Sequence, residues 1–240
     1  VMVMKKGFWI ILCMFFIPPV TFAGNMKLHY DRPAEYFEEA LVIGNGTMGA
    51  TLYGGVKKDK ISFNDITLWT GEPESENSSP DAFNTIPEIR ALLDNEDYQG
   101  ADKAQYKVQG HYSENYQPLG TLTIEYLDDT VGISDYHRWL DIGNATARTQ
   151  YLKGGKLFTS DYFASAPDSV IVIRLKSENK EGIYALLSFD SPLPHSSQVA
   201  DNEISVEGYA AYHSFPVYYK AEDKHRYDPE RGIHFKTLVR

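Results

Sequence analysis

Hydrophobic residues recur in this chain mostly at every second position. Over Thr121–Leu127, Leu122, Ile124 and Tyr126 fall on one face and Thr121, Thr123 and Glu125 on the other, the period of a half-buried strand. Ala50-Thr51-Leu52-Tyr53 and Lys60-Ile61-Ser62-Phe63 flank Gly54–Asp59, a hairpin signal. Further strands are predicted over 145–152, 156–165, 169–176, 182–189, 203–213 and 232–239, separated by turn residues such as Gly154-Gly155 and Asp228-Pro229. Closely spaced alternating strands of this kind predict a mainly β chain, a large antiparallel β-sandwich rather than a set of βαβ units.

One segment changes period. Thr85-Ile86-Pro87-Glu88 has the spacing of a helical capping box, with proline expected in the first turn, and Ile86, Ile89, Leu92 and Leu93 form an apolar stripe. A second short helix is expected from about Tyr98 to Val108, so a short helical insertion interrupts the strands. Gly71–Pro80 reads as a polar loop.

The N-terminus follows different rules. Lys5-Lys6 precede an apolar run from Phe8 to Ile17, and Thr21 and Ala23 supply small residues at the −3 and −1 positions. Residues 1–23 therefore read as a secretory signal peptide, with 24–240 as the folded domain. The run is shorter than the roughly 20 residues of a membrane-spanning helix, and Pro18-Pro19 would break it, so no membrane span is expected after cleavage. The expected location is secreted, periplasmic or cell-surface. Cys13, the only cysteine, lies inside the signal, which leaves no disulfide, no zinc–cysteine site and no thiol nucleophile. At the other end, Gly232–Arg240 reads as a strand without a polar tail, the expectation for a chain cut from a longer one.

Charge narrows the partners. The formal net charge is −10, and removing Lys5 and Lys6 takes it to −12. An acidic chain without a basic cluster argues against nucleic acid as a partner. The seven histidines form no His-x-His or His-x-x-x-His pair, so neither a metal nor another cofactor is expected. Gly44-Asn45-Gly46-Thr47-Met48-Gly49 formally fits G-x-G-x-x-G, but the nucleotide motif needs a helix directly afterwards and Ala50–Gly55 is β-patterned. A tight turn is the better reading.

Chemistry-bearing residues concentrate in Asn64-Asp65-Ile66-Thr67-Leu68-Trp69-Thr70-Gly71. Trp69 has three readings: stacking on a sugar face, anchoring the loop in the core, or packing against a domain outside the chain. Asn64 is a candidate for hydrogen-bonding sugar hydroxyls, and Asp65 and Thr67 for local turn bonds. His111, beside Tyr112 between the helices and a strand, lies either on a site-facing loop or on plain surface. Adjacent carboxylates such as Glu38-Glu39 and Asp128-Asp129 do not supply the cross-cleft pair that glycoside cleavage requires, because strand neighbours point to opposite faces, and no Asp or Glu is assigned as acid or base.

Taken together, the Gly-Asn-Gly-x-x-Gly block, the Asn-Asp-x-Thr-Leu-Trp-x-Gly block, Gln117-Pro118-Leu119-Gly120, Tyr136–Asp141 and Tyr162–Asp168 resemble the N-terminal domain of glycoside hydrolase family 95, the α-L-fucosidases, related to the family 65 N-terminal domain. Ser160-Asp161 departs from the Arg-Glu pair expected before Tyr162. The resemblance implies an antiparallel supersandwich followed by a linker and an (α/α)6 catalytic barrel. It implies a secreted parent that hydrolyses terminal α-L-fucosyl glycosides by inversion, with a fucosylated glycan and the chain's own downstream barrel as partners. Catalytic residues are expected outside this chain. Asn45, Gly46, Asn64, Trp69 and His111 are the candidates for the substrate cleft or domain interface. The rival expectation is a free-standing carbohydrate-binding or adhesion module using Trp69, Trp139 and the tyrosines as a platform.

Overall fold

A computed structural model describes residues 26–73, 79, 81–110, 112–128 and 132–240. The predicted signal peptide lies outside the described residues, and so does His111. The strands form two five-stranded antiparallel sheets, joined by two smaller ones. The first large sheet contains β1 (Lys27–Tyr30), β6 (Ile133–Asp141), β7 (Thr146–Lys153), β8 (Lys156–Ser165) and β9 (Val170–Ser177), in that spatial order. The second runs β10 (Ala185–Asp190), β5 (Gly120–Tyr126), β4 (Lys58–Asp65), β3 (Met48–Leu52) and β2 (Leu41–Gly44). A three-stranded sheet joins β11 (His195–Ala200), β12 (Glu203–Tyr209) and β15 (His234–Val239), while β13 (His213–Ser214) pairs β14 (His225–Arg226).

The two large sheets face each other, with β2 lying over β6, β7 and β8 and β3 over β9. Alternation supplies the core from both sides: Leu41, Ile43, Leu52, Ile61, Leu122 and Ile124 from one sheet meet Ala147, Tyr151, Phe158 and Tyr162 from the other. The β-sandwich expectation therefore holds. One buried charged group in it is paired so that it ties a neighbouring segment to the sheet. Arg138 on β6 is buried and donates from Nε to the Arg32 carbonyl and from Nη1 to the Glu39 carbonyl, both at 2.8 Å. Those two bonds tie segment 32–39 to the sheet and answer the guanidinium's desolvation.

The insertion between β4 and β5 holds α1 (Ala82–Asp94) and α2 (Tyr98–Gln105), which pack against each other. The capping-box expectation fails. The helix begins at Ala82, a turn earlier, and the Thr85 hydroxyl donates back to the Asp81 carbonyl at 2.9 Å instead of capping. Pro87 consequently sits inside the helix. The stripe is only partly covered, for Ile89 and Leu92 are half-buried while Ile86 and Leu93 remain exposed. The segment predicted as one strand over 203–213 ends at Tyr209, where buried Ala210 and Ala211 lead into β13.

Candidate functional site

The glycine-rich block is a hairpin turn. β2 pairs antiparallel with β3 from Leu41↔Leu52 to Gly44↔Gly49, so strand and not helix follows the glycines. Asn45 is its organiser. Its Oδ1 accepts from the Thr47 amide (3.0 Å), the Thr47 hydroxyl (3.0 Å) and the Met48 amide (2.8 Å), while its Nδ2 donates to the Ser165 carbonyl at 2.9 Å. One side chain thus closes the turn and bonds it to the end of β8 in the opposite sheet. Gly46 holds φ +98° with open space where a Cβ would be, so its glycine serves backbone conformation and not close packing.

The second block sits beside the first. Met48 pairs with Asp65 and Gly49 with Asn64, and the Ile66 amide donates to the Thr47 carbonyl at 2.8 Å. Asn64 accepts from the Asp65 amide at 3.1 Å, and the Asp65 Oδ1 accepts from the Thr67 amide at 2.9 Å and the Thr67 hydroxyl at 2.6 Å. These are the local turn bonds expected of Asp65 and Thr67. The anchor of this loop is Leu68, 1% exposed, which packs with Leu193 and Ala210 in a satellite core; Trp69 is 44% exposed. The reading of Trp69 as core anchor is thereby corrected. Successive residues of an extended segment face opposite ways, so burying Leu68 turns Trp69 outward. Its Nε1 donates to the Ile66 carbonyl at 3.0 Å and its ring meets Tyr116 at 5.5 Å between centroids.

A polar network beneath Trp69 was invisible to sequence reasoning. The Glu114 carboxylate accepts from the Thr70 hydroxyl, from the Ser214 amide at 3.0 Å and lies 2.7 Å from His213 Nδ1. Asn115 donates its amide to Thr70 Oγ1 at 2.9 Å and its Nδ2 to the Ser214 carbonyl at 2.9 Å. Ser214 Oγ is 2.8 Å from His225 Nδ1. Three segments meet here, separated in sequence by 45 residues between Thr70 and Asn115 and by 99 between Glu114 and His213, and no local spacing announces such a meeting. Rings continue the exposed surface outward: His213 to Phe215 (4.5 Å), Phe215 to Tyr219 (4.7 Å), and Tyr219 to Tyr112 (5.2 Å).

Four of the five sequence candidates, Asn45, Gly46, Asn64 and Trp69, therefore occupy one end of the sandwich. Trp139 does not join them. It lies on β6 of the facing sheet, with Arg148 and Lys27 over its ring at 5.7 and 6.0 Å. Two carboxylates at the candidate end, Asp65 and Glu114, are committed to local hydrogen bonds.

Comparison with known proteins adds the lineage. Residues 28–240 match the family model described as glycosyl hydrolase family 65, N-terminal domain. Alpha-L-fucosidase 2 of Arabidopsis thaliana is 31% identical over 221 residues, covering 89% of this chain and 26% of the plant protein. Probable alpha-fucosidase A of Aspergillus niger is 29% identical over 211 residues, covering 82% of this chain and 26% of the fungal one. The chain spans about a quarter of the length of these relatives.

Proposed function

Since the chain belongs to the glycosyl hydrolase family 65 N-terminal domain family, we propose that it is the non-catalytic N-terminal domain of a secreted α-L-fucosidase-like glycoside hydrolase. The observation that carries this reading is one of extent: the β-sandwich corresponds to about a quarter of relatives that bear the name fucosidase. In the whole protein the domain buttresses a downstream (α/α)6 barrel, which holds the catalytic groups and hydrolyses terminal α-L-fucosyl or similar glycosides by inversion. Residues 1–23 direct export to the periplasm, cell surface or medium, and no cofactor is required.

The chemistry of the candidate end supports this division of labour. Inversion needs an acid and a base roughly 6.5–9.5 Å apart across the scissile bond, each free to exchange a proton with substrate or water. Asp65 holds Thr67 and Glu114 holds Thr70, Ser214 and His213, so both serve structure. Asn64 and Trp69 shape the rim of the cleft or its supporting interface. The test is turnover of a fucosyl-α-1,2-galactose substrate by residues 24–240 and by a polypeptide extending through the barrel. Only the longer protein is expected to release fucose, and release by the shorter one would overturn the reading.

The exposure of Trp69 favours one alternative, a free-standing glycan-binding module. Isothermal titration of the chain with a fucosyl-α-1,2-galactose glycan separates the two: the module reading requires saturable binding that Trp69→Ala abolishes.

A further inference from the structure

We infer that the helical hairpin α1–α2, together with the aromatic ridge running from Trp69 and Tyr116 to Tyr112, Tyr219 and Tyr218, is the face on which the downstream part of the same polypeptide docks. This rests on the proposed N-terminal-domain function and adds the location of the interface.

The hairpin lacks a partner among the described residues. Each helix packs on the other, neither makes extensive contact with a strand, and the pair buries only Thr85, Ala101 and Ala104. Helices of 13 and 8 residues are at or below the length that is marginal in water, roughly 12–15 residues, and gain stability from packing an apolar face. Yet Phe83, Ile86 and Leu93 are exposed, Phe83 to 83%. Helical spacing puts Ile86 three residues and Leu93 ten residues beyond Phe83, on one side of the helix, the i, i+3 and i+7 type of spacing between anchors that seat a helix in a protein groove.

The ridge shares the hairpin's base. Trp69 and Tyr116 form an isolated antiparallel bridge that closes the insertion, and their rings are in contact. Shortly before Tyr116 in the chain, Tyr112 meets Tyr219 at 5.2 Å and Tyr218 at 6.3 Å. Exposed apolar surface on this scale marks an interaction site.

Hydrogen bonding decides between protein and sugar as occupant. A polyhydroxyl ligand needs donors and acceptors aimed at it beside the ring that stacks on it. Here Glu114, Asn115, Asn45 and the Trp69 indole N–H all direct their polar atoms back into the domain. What faces outward is ring and aliphatic surface with tyrosine hydroxyls among it, the mixture in which aromatic residues are enriched at protein interfaces. The relatives extend about four times the matched length, and a partner on the same polypeptide acts at high effective concentration.

The test is amide hydrogen exchange on the full-length protein and on residues 24–240, with cross-linking from Lys103 and Lys107 of the full-length protein as a second measurement independent of whether the shorter chain folds. Docking predicts that amides of 84–105 and 212–219 exchange at least about tenfold more slowly in the full-length protein, because local opening then has to break the interface. Phe83→Asp with Leu93→Asp should remove that protection while leaving the sandwich strands unchanged, and the two lysines should cross-link to downstream residues. Equal exchange at the hairpin, with new protection on another face, overturns this interface but leaves the domain reading intact. If no segment gains protection and no downstream cross-link forms, both fail. Protection of the short chain that grows with its concentration, pointing to a second copy, or that appears only with added fucosylated glycan, also overturns the proposal.

Discussion

Asp59 enters the core from β4, where its Oδ1 accepts from the Gly55 amide at 2.9 Å and its Oδ2 from the Tyr162 hydroxyl at 2.8 Å. Burial dominates these bonds and raises the carboxyl pKa from 3.8 to about 6. A pKa higher in the folded than in the unfolded chain means that the group's contribution is complete below pH 3.8 and is lost as pH rises through about 6. The substitution Asp59→Asn would keep an oxygen to accept from the Gly55 amide and turn an NH2 donor toward the Tyr162 hydroxyl oxygen, which can accept it, within one uncharged side chain. Relative to that variant, the wild-type chain is expected to lose about 3 kcal/mol between about pH 4 and about pH 8, read from urea unfolding of both proteins. An unchanged difference across that range would mean that the carboxyl ionises as readily in the folded chain as in the unfolded one, whereas a larger loss would mean that the buried acid stays neutral. Beside it, Gly54 has φ +70°, and a Cβ there would lie 2.6 Å from the Tyr136 hydroxyl and 2.8 Å from Thr149 Oγ1. Gly54→Ala is therefore expected to cost about 2–4 kcal/mol by adding left-handed strain to overpacking, with the midpoint of denaturation as the measurement.

Elements with a clean period were legible and elements without one were not. β5 reads as perfect alternation and is buried at every second residue. β6 is hidden because a register shift between Ser134 and His137, with Asp135 at φ +49°, breaks its period. β11 is hidden because its six residues are all exposed and four of them, His195-Ser196-Ser197-Gln198, are polar; only pairing with β12 makes it a strand. For α1, local chemistry allowed Thr85 two bonding partners, and the earlier one prevailed. The candidate site divides the same way: Asn45, Asn64 and Trp69 come from contiguous blocks, whereas Glu114, His213 and Ser214 meet only through the fold. The earlier helix start has an energetic consequence. Pro87 cannot donate to the Phe83 carbonyl, and proline in a helix interior is about 3 kcal/mol less favourable than alanine. Pro87→Ala is expected to slow amide exchange across 84–91 by up to that amount and to raise helical circular dichroism. A faster exchange would show that proline is pinning a helix the sequence otherwise disfavours.

At the scale of the molecule, the sandwich is closed in its middle and open along β10. Among the described residues that strand pairs with β5 on one side only, and its consecutive Leu186 and Leu187 point to opposite faces, yet both are exposed. An edge strand with unpaired backbone groups and apolar side chains on both faces is a template for further pairing. The adjoining Tyr184 and Leu127 are exposed too, which extends the apolar strip beyond the strand. Opposing association is the net charge of −12 on residues 24–240, a repulsion that acts over roughly a Debye length of 10 Å at 0.1 M salt and fades as salt is added. The isolated domain is therefore expected to be mainly monomeric at low ionic strength and to associate increasingly in high salt, measured by sedimentation velocity. Leu186→Lys should suppress that association, since lysine on an edge strand both repels a like strand and removes the apolar contact, while leaving thermal stability within about 0.5 kcal/mol as an exposed substitution. If the lysine variant associates as readily as the wild type, the contact lies on another face, and Phe83→Asp then reports whether it is the helical hairpin.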